Sequence, residues 1–495
     1  MLKMVAYEDA VNNRIFDDNV SKRMVLVIPA HNEADTITSV LQSIVAQRGV
    51  THHILDVFIA LDNCTDNTEN EIRKFSGQLN LYVLETVNNK ERKSGALNQI
   101  YRLFLGDLTK EPLSEEHLKS VKNIDAFVGI DADVYLARDC LSTLYLELIA
   151  QYKTGAVSAN YQCLLPESIN VIPRNDPNRE YMLKHGKFGG PMSRFYAVAQ
   201  NVEFSTWTIK QKVNNHIAQI AGGQCSMFRP ETLKDVYTHF KMNGVYSNES
   251  DTEDLLLTQQ IREVGWQCKI SDSARCYYVD SMNTLPSLYN QRKKWQAGII
   301  QYMTKAGIST AYARQLWSQE ILMAFNFLIR IMLVVLIPVA LIIHEFVWSY
   351  IWFLPILISA ILNTVATIKT PNRRLIDVLL ALTTIPAELT IWFKVSVHLS
   401  TWRDSFRIEK IDGWALQYQA ENGTLKHNYS WFYIAIALIA ALFVGFYFKW
   451  LSVRLVVDTI KPYLHASFNI LTYLTFITFI FMLFQLSKLR GHYKA

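Results

Sequence analysis

Apolar segments long enough to cross a membrane fill the C-terminal third of the chain and constrain the fold most. About 20 apolar residues span the ~30 Å of bilayer hydrocarbon. Four segments reach that length: Ala324–Ile343, Tyr350–Ile368, Trp431–Phe448 and Phe468–Gln485. A fifth, Leu375–Val395, is interrupted by Pro386 and Glu388, so we predict four spans with the fifth re-entrant or interfacial. Arg330 is expected to face protein or a channel, because a lipid-facing arginine is costly.

Basic residues beside these segments predict their orientation, since positive flanks favour the cytosol. Three groups flank them: Lys369, Arg373 and Arg374; Arg403, Arg407 and Lys410; Lys488 and Arg490. The stretch Met1–Asn19 is acidic and lacks the apolar core of a signal peptide. The six cysteines form no CxxC pair, as expected of reduced thiols. We expect an integral protein of the plasma (cytoplasmic) membrane with its polar domain in the cytosol, in contact with membrane lipids.

The polar part of the chain begins with alternating apolar runs and helical patterns. The apolar runs are Met24–Ile28, Asp56–Leu61, Leu81–Leu84 and Ala126–Ile130, and the helical patterns include Thr36–Ala46 and Ser94–Leu105. This alternation predicts a parallel, doubly wound α/β sheet. Ligands of such sheets bind at the carboxyl ends of the strands, so the chemistry is expected there.

Composition divides the chain into an N-terminal segment (1–23), a polar domain (24–284), a mixed segment (285–320) and a membrane region (321–490). The mixed segment combines aromatic, basic and apolar residues. It suits helices lying on the membrane surface, and an ordinary amphipathic helix explains it equally well. The net charge of +5 is modest. Because no basic, aromatic-rich strand surface is present, nucleic acid is not expected as a partner.

Two pairs of carboxylates carry the strongest chemical signals. Asp131 and Asp133 directly follow the run Ala126–Ile130, and side chains at i and i+2 point to the same side of an extended chain. Together they can hold Mg²⁺ or Mn²⁺ against substrate phosphates, although an isolated DxD is more often a solvated turn. Glu253 and Asp254 precede a helical run. A carboxylate there is either a helix cap or a general base.

Polar residues also follow the other predicted strands. Asp62 lies one step beyond a buried strand and suits contact with a nucleobase. Glu33 closes the segment after the first strand, where Asn32, like Asp66 after the second strand, is also explained as a turn or N-cap residue. Lys93 opens a helix, and a helix N-terminus with a cation favours phosphate, although a plain capped helix start is the simpler explanation.

Two later segments add weaker signals. Gly223 belongs to a pair of glycines that lets a ligand approach the backbone, although a tight turn is the commoner cause. The segment Gln291–Trp295 presents cations and an indole, which can stabilise a diphosphate and stack on a sugar ring. Membrane anchoring by basic and aromatic residues is the alternative for this segment.

In this order and spacing, the motifs resemble the processive family-2 glycosyltransferases, which have the GT-A (Rossmann-like) fold followed by an all-α transmembrane region with interfacial helices. These include cellulose, chitin, hyaluronan and poly-N-acetylglucosamine synthases. Their signature of D, DxD, (T)ED and Q(Q/R)xRW is matched by Asp62, Asp131/Asp133, Thr252-Glu253-Asp254 and Gln291–Trp295. In one departure, Lys294 replaces the usual Arg and cannot form a bidentate fork to phosphate.

The resemblance implies an inverting transfer from a UDP-sugar with Mg²⁺ or Mn²⁺. By this resemblance, Asp62 and Glu33 contact the nucleotide, Lys93 contacts the diphosphate, and Asp131 holds the nucleotide and metal with Asp133 as the direct metal ligand. Asp254 is the implied base, beside Glu253, and Cys225 and Gly223 lie at the acceptor. Gln291, Arg292 and Trp295 close over the diphosphate and the acceptor sugar. Among donors, UDP-N-acetylglucosamine is favoured because several relatives use it.

Two alternatives remain open beside a processive polysaccharide synthase that exports its product. The first is a non-processive enzyme that adds one sugar to a lipid-linked or oligosaccharide acceptor. The second is a transporter or lipid-binding protein with a degenerate nucleotide fold. The intact acidic positions of the signature disfavour the second alternative.

Overall fold

A computed structural model describes most of the chain and divides it into two compact units. The described residues are 3–6, 23–50, 54–105, 124–172, 191–242, 244–250, 252–279, 284–342, 346–370, 373–383, 385–407, 413–421 and 453–488, with positions 174, 179, 183, 424, 437, 441, 444 and 445. The first unit comprises Met1–Leu288 with Ala366–Arg374 and Gly491–Ala495, and the second comprises Tyr289–Val365 with Leu375–Arg490. Each unit is described below by itself.

The first unit is built on a nine-stranded mixed sheet. Its strands are β1 (Lys3–Ala6), β2 (Arg23–Ala30), β3 (Ile54–Leu61), β4 (Asn80–Glu85), β5 (Ile124–Ile130), β6 (Val134–Leu136), β7 (Thr154–Cys163), β8 (Cys225–Phe228) and β9 (Gln267–Tyr278). Their order across the sheet is β1-β4-β3-β2-β5-β8-β7-β9-β6.

The parallel sheet predicted from the sequence is present in strands β4, β3, β2 and β5, which run in one direction. Beyond β5 the sheet is mixed, because β8 runs antiparallel to both of its neighbours, β5 and β7. Ile130 at the end of β5 pairs with Cys225 at the start of β8. This reversal brings the glycine-containing segment before β8 to the carboxyl edge of β5, where Asp131 follows.

Helices cover both faces of the sheet, as expected of a doubly wound fold. The helices of the first unit are α1 (Ile37–Val45), α2 (Thr68–Arg73), α3 (Arg92–Leu105), α4 (Cys140–Ile149), α5 (Pro191–Val213), α6 (Pro230–Phe240) and α7 (Glu253–Glu263). In β2, Met24 and Leu26 pack with α1, α2 and α4, while Val25 and Val27 pack with α3, α6 and α7. Alternate residues of this strand therefore enter two separate cores, which explains its continuous apolar sequence.

The second unit is helical. Its helices are α8 (Leu285–Ala306, whose first turn belongs to the first unit), α9 (Ala311–Ile342), α10 (Leu354–Lys369, whose last turn belongs to the first unit), α11 (Leu375–Leu382), α12 (Ile385–Ser405), α13 (Gly413–Glu421) and α14 (Val453–Lys488). Helix α9 runs without a break across the boundary predicted at residue 320. A cluster around Trp352, Phe468 and Leu471 forms an apolar core in this unit.

Three helical segments among the described residues are long and apolar enough to cross a membrane: Ala311–Ile337, Tyr350–Lys369 and Tyr463–Phe484. They overlap three of the four predicted spans. The other, Trp431–Phe448, lies almost wholly outside the described residues. The interrupted segment Leu375–Val395 forms the separate helices α11 and α12, which meet next to Pro386.

Arg330 of α9 is paired within the protein, which confirms the expectation drawn from its place in an apolar helix. Its Nε and Nη2 atoms donate to the two carboxylate oxygens of Glu388 on α12, at 2.9 and 2.7 Å. Its Nη1 atom also donates to Asn326, one turn earlier on α9. The polar residue that interrupts the fifth apolar segment is therefore the partner of the arginine in the first.

Candidate active site

Three loops at the carboxyl edge of the parallel strands share one backbone feature. Asn32 after β2, Asn63 after β3 and Asn88 after β4 all adopt positive φ, at 56, 51 and 51°. Asparagine tolerates this left-handed conformation better than most residues with a side chain. Each loop therefore turns sharply at the strand end, and the polar residues next to these turns stay at the edge of the sheet.

Asp62, the first residue after β3, is held by a set of hydrogen-bond donors. Its Oδ1 atom accepts from the hydroxyl of Thr86 at 2.8 Å, from the amide of Asn89 at 2.8 Å and from the amide of Asn63 at 3.0 Å. The residue is 8% exposed. No other described residue donates to its Oδ2 atom. The carboxylate is thus fixed in position through one of its two oxygens.

Lys93, at the start of α3, lies at the centre of a group of carboxylates. Its Nζ atom is 2.7 Å from Asp131 Oδ1 and 3.2 Å from Glu253 Oε1. Burial opposes the charged form of this lysine, but the carboxylates of Asp131, Glu253 and Asp254 outweigh burial and raise the pKa of Lys93. The lysine therefore carries a stable positive charge at the place where the resemblance expects a diphosphate.

Asp254 lies in the first turn of α7 and accepts backbone hydrogen bonds. Leu255 N–H donates to its Oδ1 at 2.8 Å, and Gly223 N–H donates to its Oδ2 at 3.3 Å. Burial and the neighbouring Glu253 raise the pKa of Asp254 to about 6, although Lys93 and the two backbone donors act in the opposite direction. A carboxylate with this pKa can accept a proton near neutral pH, which is what a general base requires.

Gly223 fits between Lys93 and Asp254 because it has no side chain. A Cβ atom at this position would lie 2.4 Å from Lys93 Nζ and 3.1 Å from Asp131 Oδ1. Ala221 N–H, in the same segment, donates to the Thr258 hydroxyl at 2.8 Å, which itself donates to the Asp254 carbonyl at 2.6 Å. The segment before β8 therefore packs directly between the β5 edge and α7.

Asp131 and Asp133 occupy the turn that joins β5 to β6. Asp131 N–H lies 3.5 Å from the Gln224 carbonyl, and Val134 N–H donates to the Asp131 carbonyl at 3.2 Å. Among the described residues, no group of three or more His, Cys, Asp or Glu side chains could hold a metal ion. Two carboxylates still fit a divalent cation whose remaining ligands are phosphate oxygens and water, the usual arrangement for Mg²⁺.

Glu33 and Asp66 take structural positions beside the site. Thr36 Oγ1 donates to Glu33 Oε2 at 2.6 Å, and the Glu33 carbonyl accepts from Ile37 N–H at the start of α1. Asp66 Oδ1 accepts from Thr68 N–H at 3.0 Å, at the start of α2. Both carboxylates thus contact the beginning of a helix, and the nucleotide contact predicted for Glu33 has no separate support from its geometry.

Cys225 is placed differently from its predicted role at the acceptor. Its side chain is 2% exposed and lies in the hydrophobic core with Cys140 and Cys276. As the first residue of β8, it points into the sheet face that α4 covers, whereas Gly223 two residues earlier lies at the site. The acceptor contact predicted for Cys225 therefore stays a prediction without support from its geometry, because the thiol is enclosed in the core.

Gln291, Arg292 and Trp295 belong to α8 in the second unit. The Arg292 guanidinium lies over the Trp295 ring, 4.2 Å from its centroid, a cation–π geometry. Arg292 also donates to the Gln291 side chain. Arg292 and Lys294 are both buried, whereas a helix lying on a membrane surface exposes its cations.

Sequence analysis did not identify the residues that support the loop before α7. Asn98 of α3 exchanges two hydrogen bonds with the backbone of Tyr246, at 2.7 and 2.8 Å, and so holds the loop before α7. Burial, the neighbouring Tyr101 and the carboxylates Glu253, Asp254 and Asp131 raise the pKa of Tyr246. Asn98 carries no local sequence signal, because its partner is far along the chain.

Two family models match this sequence. Residues 25–236 match the model described as Glycosyl transferase family 2. The chain carries a family 2 glycosyltransferase domain. Residues 188–367 match a second model, Glycosyl transferase family group 2, which extends across α8 and into the apolar helices α9 and α10. The α/β GT-A fold followed by a helical region with apolar helices is confirmed, and no curated protein matches the chain.

Several solved structures are similar to this chain. One is the mannosyltransferase PcManGT from Pyrobaculum calidifontis in complex with GDP-Man and Mn²⁺, at 17% identity and a TM-score of 0.42, covering 78% of this chain and 88% of that chain. Another is S. aureus TarS 1–349 in complex with UDP, at 15% identity and a TM-score of 0.34, covering 79% of this chain and 95% of that chain.

Proposed function

We propose that this glycosyltransferase transfers sugar from a UDP-sugar to the hydroxyl of a growing polysaccharide, with inversion at the anomeric carbon. The observation that carries the proposal is the convergence of Asp131, Glu253 and Asp254 around Lys93 at the carboxyl edge of the sheet. These residues come from three separate places in the chain. Their meeting provides a cation for a diphosphate beside a carboxylate with the pKa of a base.

The donor is held, in this proposal, by the residues at the strand ends. Asp62 receives the uracil or ribose, and Lys93 faces the diphosphate. Asp133, with Asp131 beside it, would hold Mg²⁺ or Mn²⁺, which supplies positive charge to the leaving diphosphate. The roles of Gln291, Arg292 and Trp295 at the diphosphate and acceptor sugar stay predictions.

Replacing Gly95 by Ala should weaken the binding of UDP about tenfold, because one hydrogen bond to a charged acceptor is worth about 1.5 kcal/mol. A Cβ atom at Gly95 would lie 2.0 Å from Asn89 Oδ1, so Asn89 must move away from Asp62. Isothermal titration with UDP measures the change. Gly77→Ala is the matched control, since no atom lies within 4 Å of its Cβ position. Equal UDP affinity in both variants would contradict the role given to Asn89 and Asp62.

The transfer itself needs one proton acceptor and one leaving group. Asp254 takes the proton from the acceptor hydroxyl, and the oxygen of that hydroxyl attacks the anomeric carbon of the donor. The bond from that carbon to the UDP oxygen breaks, and UDP leaves with the electron pair. Because attack and departure occur on opposite faces of the sugar, an α-linked donor yields a β-linkage.

The rate of transfer should depend on the protonation of Asp254. With a pKa of about 6, the carboxylate is ionised at pH 7 and protonated in more acidic buffer, where it cannot accept a proton. We expect kcat/KM to be level above neutral pH and to fall about tenfold per unit well below pH 6. A pH–rate profile between pH 4.5 and 8 checks this, with UDP binding measured at each pH. A profile that stays flat down to pH 4.5 would rule out Asp254 as the titrating base.

The membrane helices suggest where the product goes. With three candidate spans after the catalytic domain, we infer that the polymer is bound and exported by the membrane region, with the catalytic domain on the cytosolic side of the plasma membrane. The alternative is the addition of one sugar to a lipid-linked or oligosaccharide acceptor.

A donor panel tests the proposed function directly. Purified full-length protein in lipid nanodiscs is incubated with radiolabelled UDP-N-acetylglucosamine, UDP-glucose, UDP-glucuronate and GDP-mannose. The release of the nucleoside diphosphate, UDP or GDP, is then measured. We expect release from one UDP-sugar and a ladder of long products on a sizing gel. Products of a single added sugar would favour the alternative, and no release from any donor would overturn the proposal.

A further inference from the structure

Glu320 is a carboxylate in an apolar helix that receives hydrogen bonds from two other helices. Gln296 of α8 donates to its Oε1 atom at 2.7 Å. Trp402 of α12 donates through its indole nitrogen to Oε2 at 2.9 Å, and His398 Nδ1 lies 3.0 Å from the same oxygen. The Glu320 side chain is only 12% exposed. The three helices α8, α9 and α12 therefore meet on one acidic group within the second unit.

Two further contacts join α8 to α12 in the same unit. Lys293 forms an ion pair with Asp404 at the end of α12. The hydroxyl of Tyr289 donates to the Ser396 carbonyl at 3.2 Å. Of these contacts, the one at Glu320 lies nearest to the aromatic end of the Gln291–Trp295 segment, since Gln296 directly follows Trp295. The side chains of α8 are thus fixed at successive turns by polar contacts.

We infer that Glu320 is a positioning residue for Arg292 and Trp295, an inference that rests on the proposed role of those two residues in transfer. A partly buried carboxylate is costly unless several donors compensate it. Here one donor comes from α8, which carries the Gln291–Trp295 segment, and the others come from α12. The Gln296 contact fixes the rotation of α8 one residue after Trp295. That rotation sets the direction in which the Arg292–Trp295 pair points.

Two variants of the full-length protein test the inference. Glu320→Ala removes the contact with α8, while Thr472→Val removes a hydrogen bond from the Trp352 indole elsewhere in the same unit and serves as a matched control. Hydrogen–deuterium exchange of peptides covering 289–300 is measured for both, together with turnover. We expect faster exchange and at least about tenfold lower turnover in Glu320→Ala only, with UDP affinity unchanged in both variants. Combined with Trp295→Phe, Glu320→Ala should lower turnover by less than the product of the single effects.

The outcomes separate this inference from the proposed function. Unchanged exchange in 289–300, or the same increase in the Thr472→Val control, would overturn the conclusion that Glu320 holds α8 in place. Faster exchange with normal turnover would overturn the positioning role while leaving the proposed function intact. Absence of turnover in the unmodified protein would reject the proposed function, and the exchange data would then still decide whether Glu320 fixes α8.

Discussion

Asp254→Asn should lower the rate of sugar transfer by about a thousandfold, within the range that a general base contributes. The substituted amide has the same shape and can still accept the backbone hydrogen bond from Gly223 N–H. It cannot take a proton from an attacking hydroxyl. Because Asp254 is not among the groups proposed to bind the donor, the affinity for UDP should change by no more than about twofold. Steady-state transfer assays and calorimetric UDP titration measure the two quantities.

Asp235→Asn provides the control for the loss of one carboxylate from the same domain. Asp235 accepts a hydrogen bond from the indole of Trp266 at 2.8 Å and has no part in the proposed chemistry. This variant should keep normal turnover. If Asp254→Asn retained more than about a tenth of the normal rate, another group would have to be the base. A large loss of UDP affinity would instead assign Asp254 to the donor site.

Lys93→Met should lower donor turnover by about a hundredfold or more, because one preorganised group that stabilises developing negative charge contributes about 2.7–4 kcal/mol to the transition state. The substitution leaves Asp131, Glu253 and Asp254 without the cation between them. Lys93 lowers the pKa of Asp254, so its loss should raise that pKa further. The acid limb of the pH–rate profile should therefore move to higher pH. Turnover between pH 5 and 9 measures both effects.

Two variants show whether the charge of Lys93 or its packing is responsible for these effects on turnover and on the acid limb. Lys93→Arg keeps the positive charge and should retain the position of the acid limb. Lys74→Met removes an exposed lysine that pairs with Glu71, and exposed pairs of this kind contribute little. It should behave as the unmodified protein. A Lys93→Met variant with an unshifted acid limb would show that Lys93 does not act on Asp254.

The parallel strands were predictable because their sequence pattern is determined by burial alone. Strands β2, β3 and β5 lie between two helical layers, so both faces are apolar and the runs are unmistakable. β8 has only four residues, and nothing in its composition indicates its direction. The antiparallel half of the sheet therefore escaped prediction, although it is the half that brings Gly223 to Lys93.

The charged residues of the candidate site carry clear sequence signals, whereas the contacts that support them do not. Asp62, Asp131 and Asp254 stand at the ends of strands or at the start of a helix, positions that sequence patterns mark well. Asn89 supports Asp62 only because the chain turns at Asn88 with positive φ, and no periodicity encodes that turn. The acceptor contact predicted for Cys225 rests on its closeness in sequence to Gly223, which does not decide whether a side chain lies in the core or at the site.

The Arg330–Glu388 pair has a consequence for how the chain enters the bilayer. Arg330 leaves the ribosome 58 residues before Glu388, so the first apolar helix reaches the translocon before the carboxylate that pairs with its guanidinium. A central arginine opposes insertion by about 2.5–3.5 kcal/mol on translocon scales. Helix α9 should therefore stay beside the translocon until α12 has been synthesised and should move into lipid together with it. Helices α9 and α12 would then enter the lipid as a pair rather than one helix at a time.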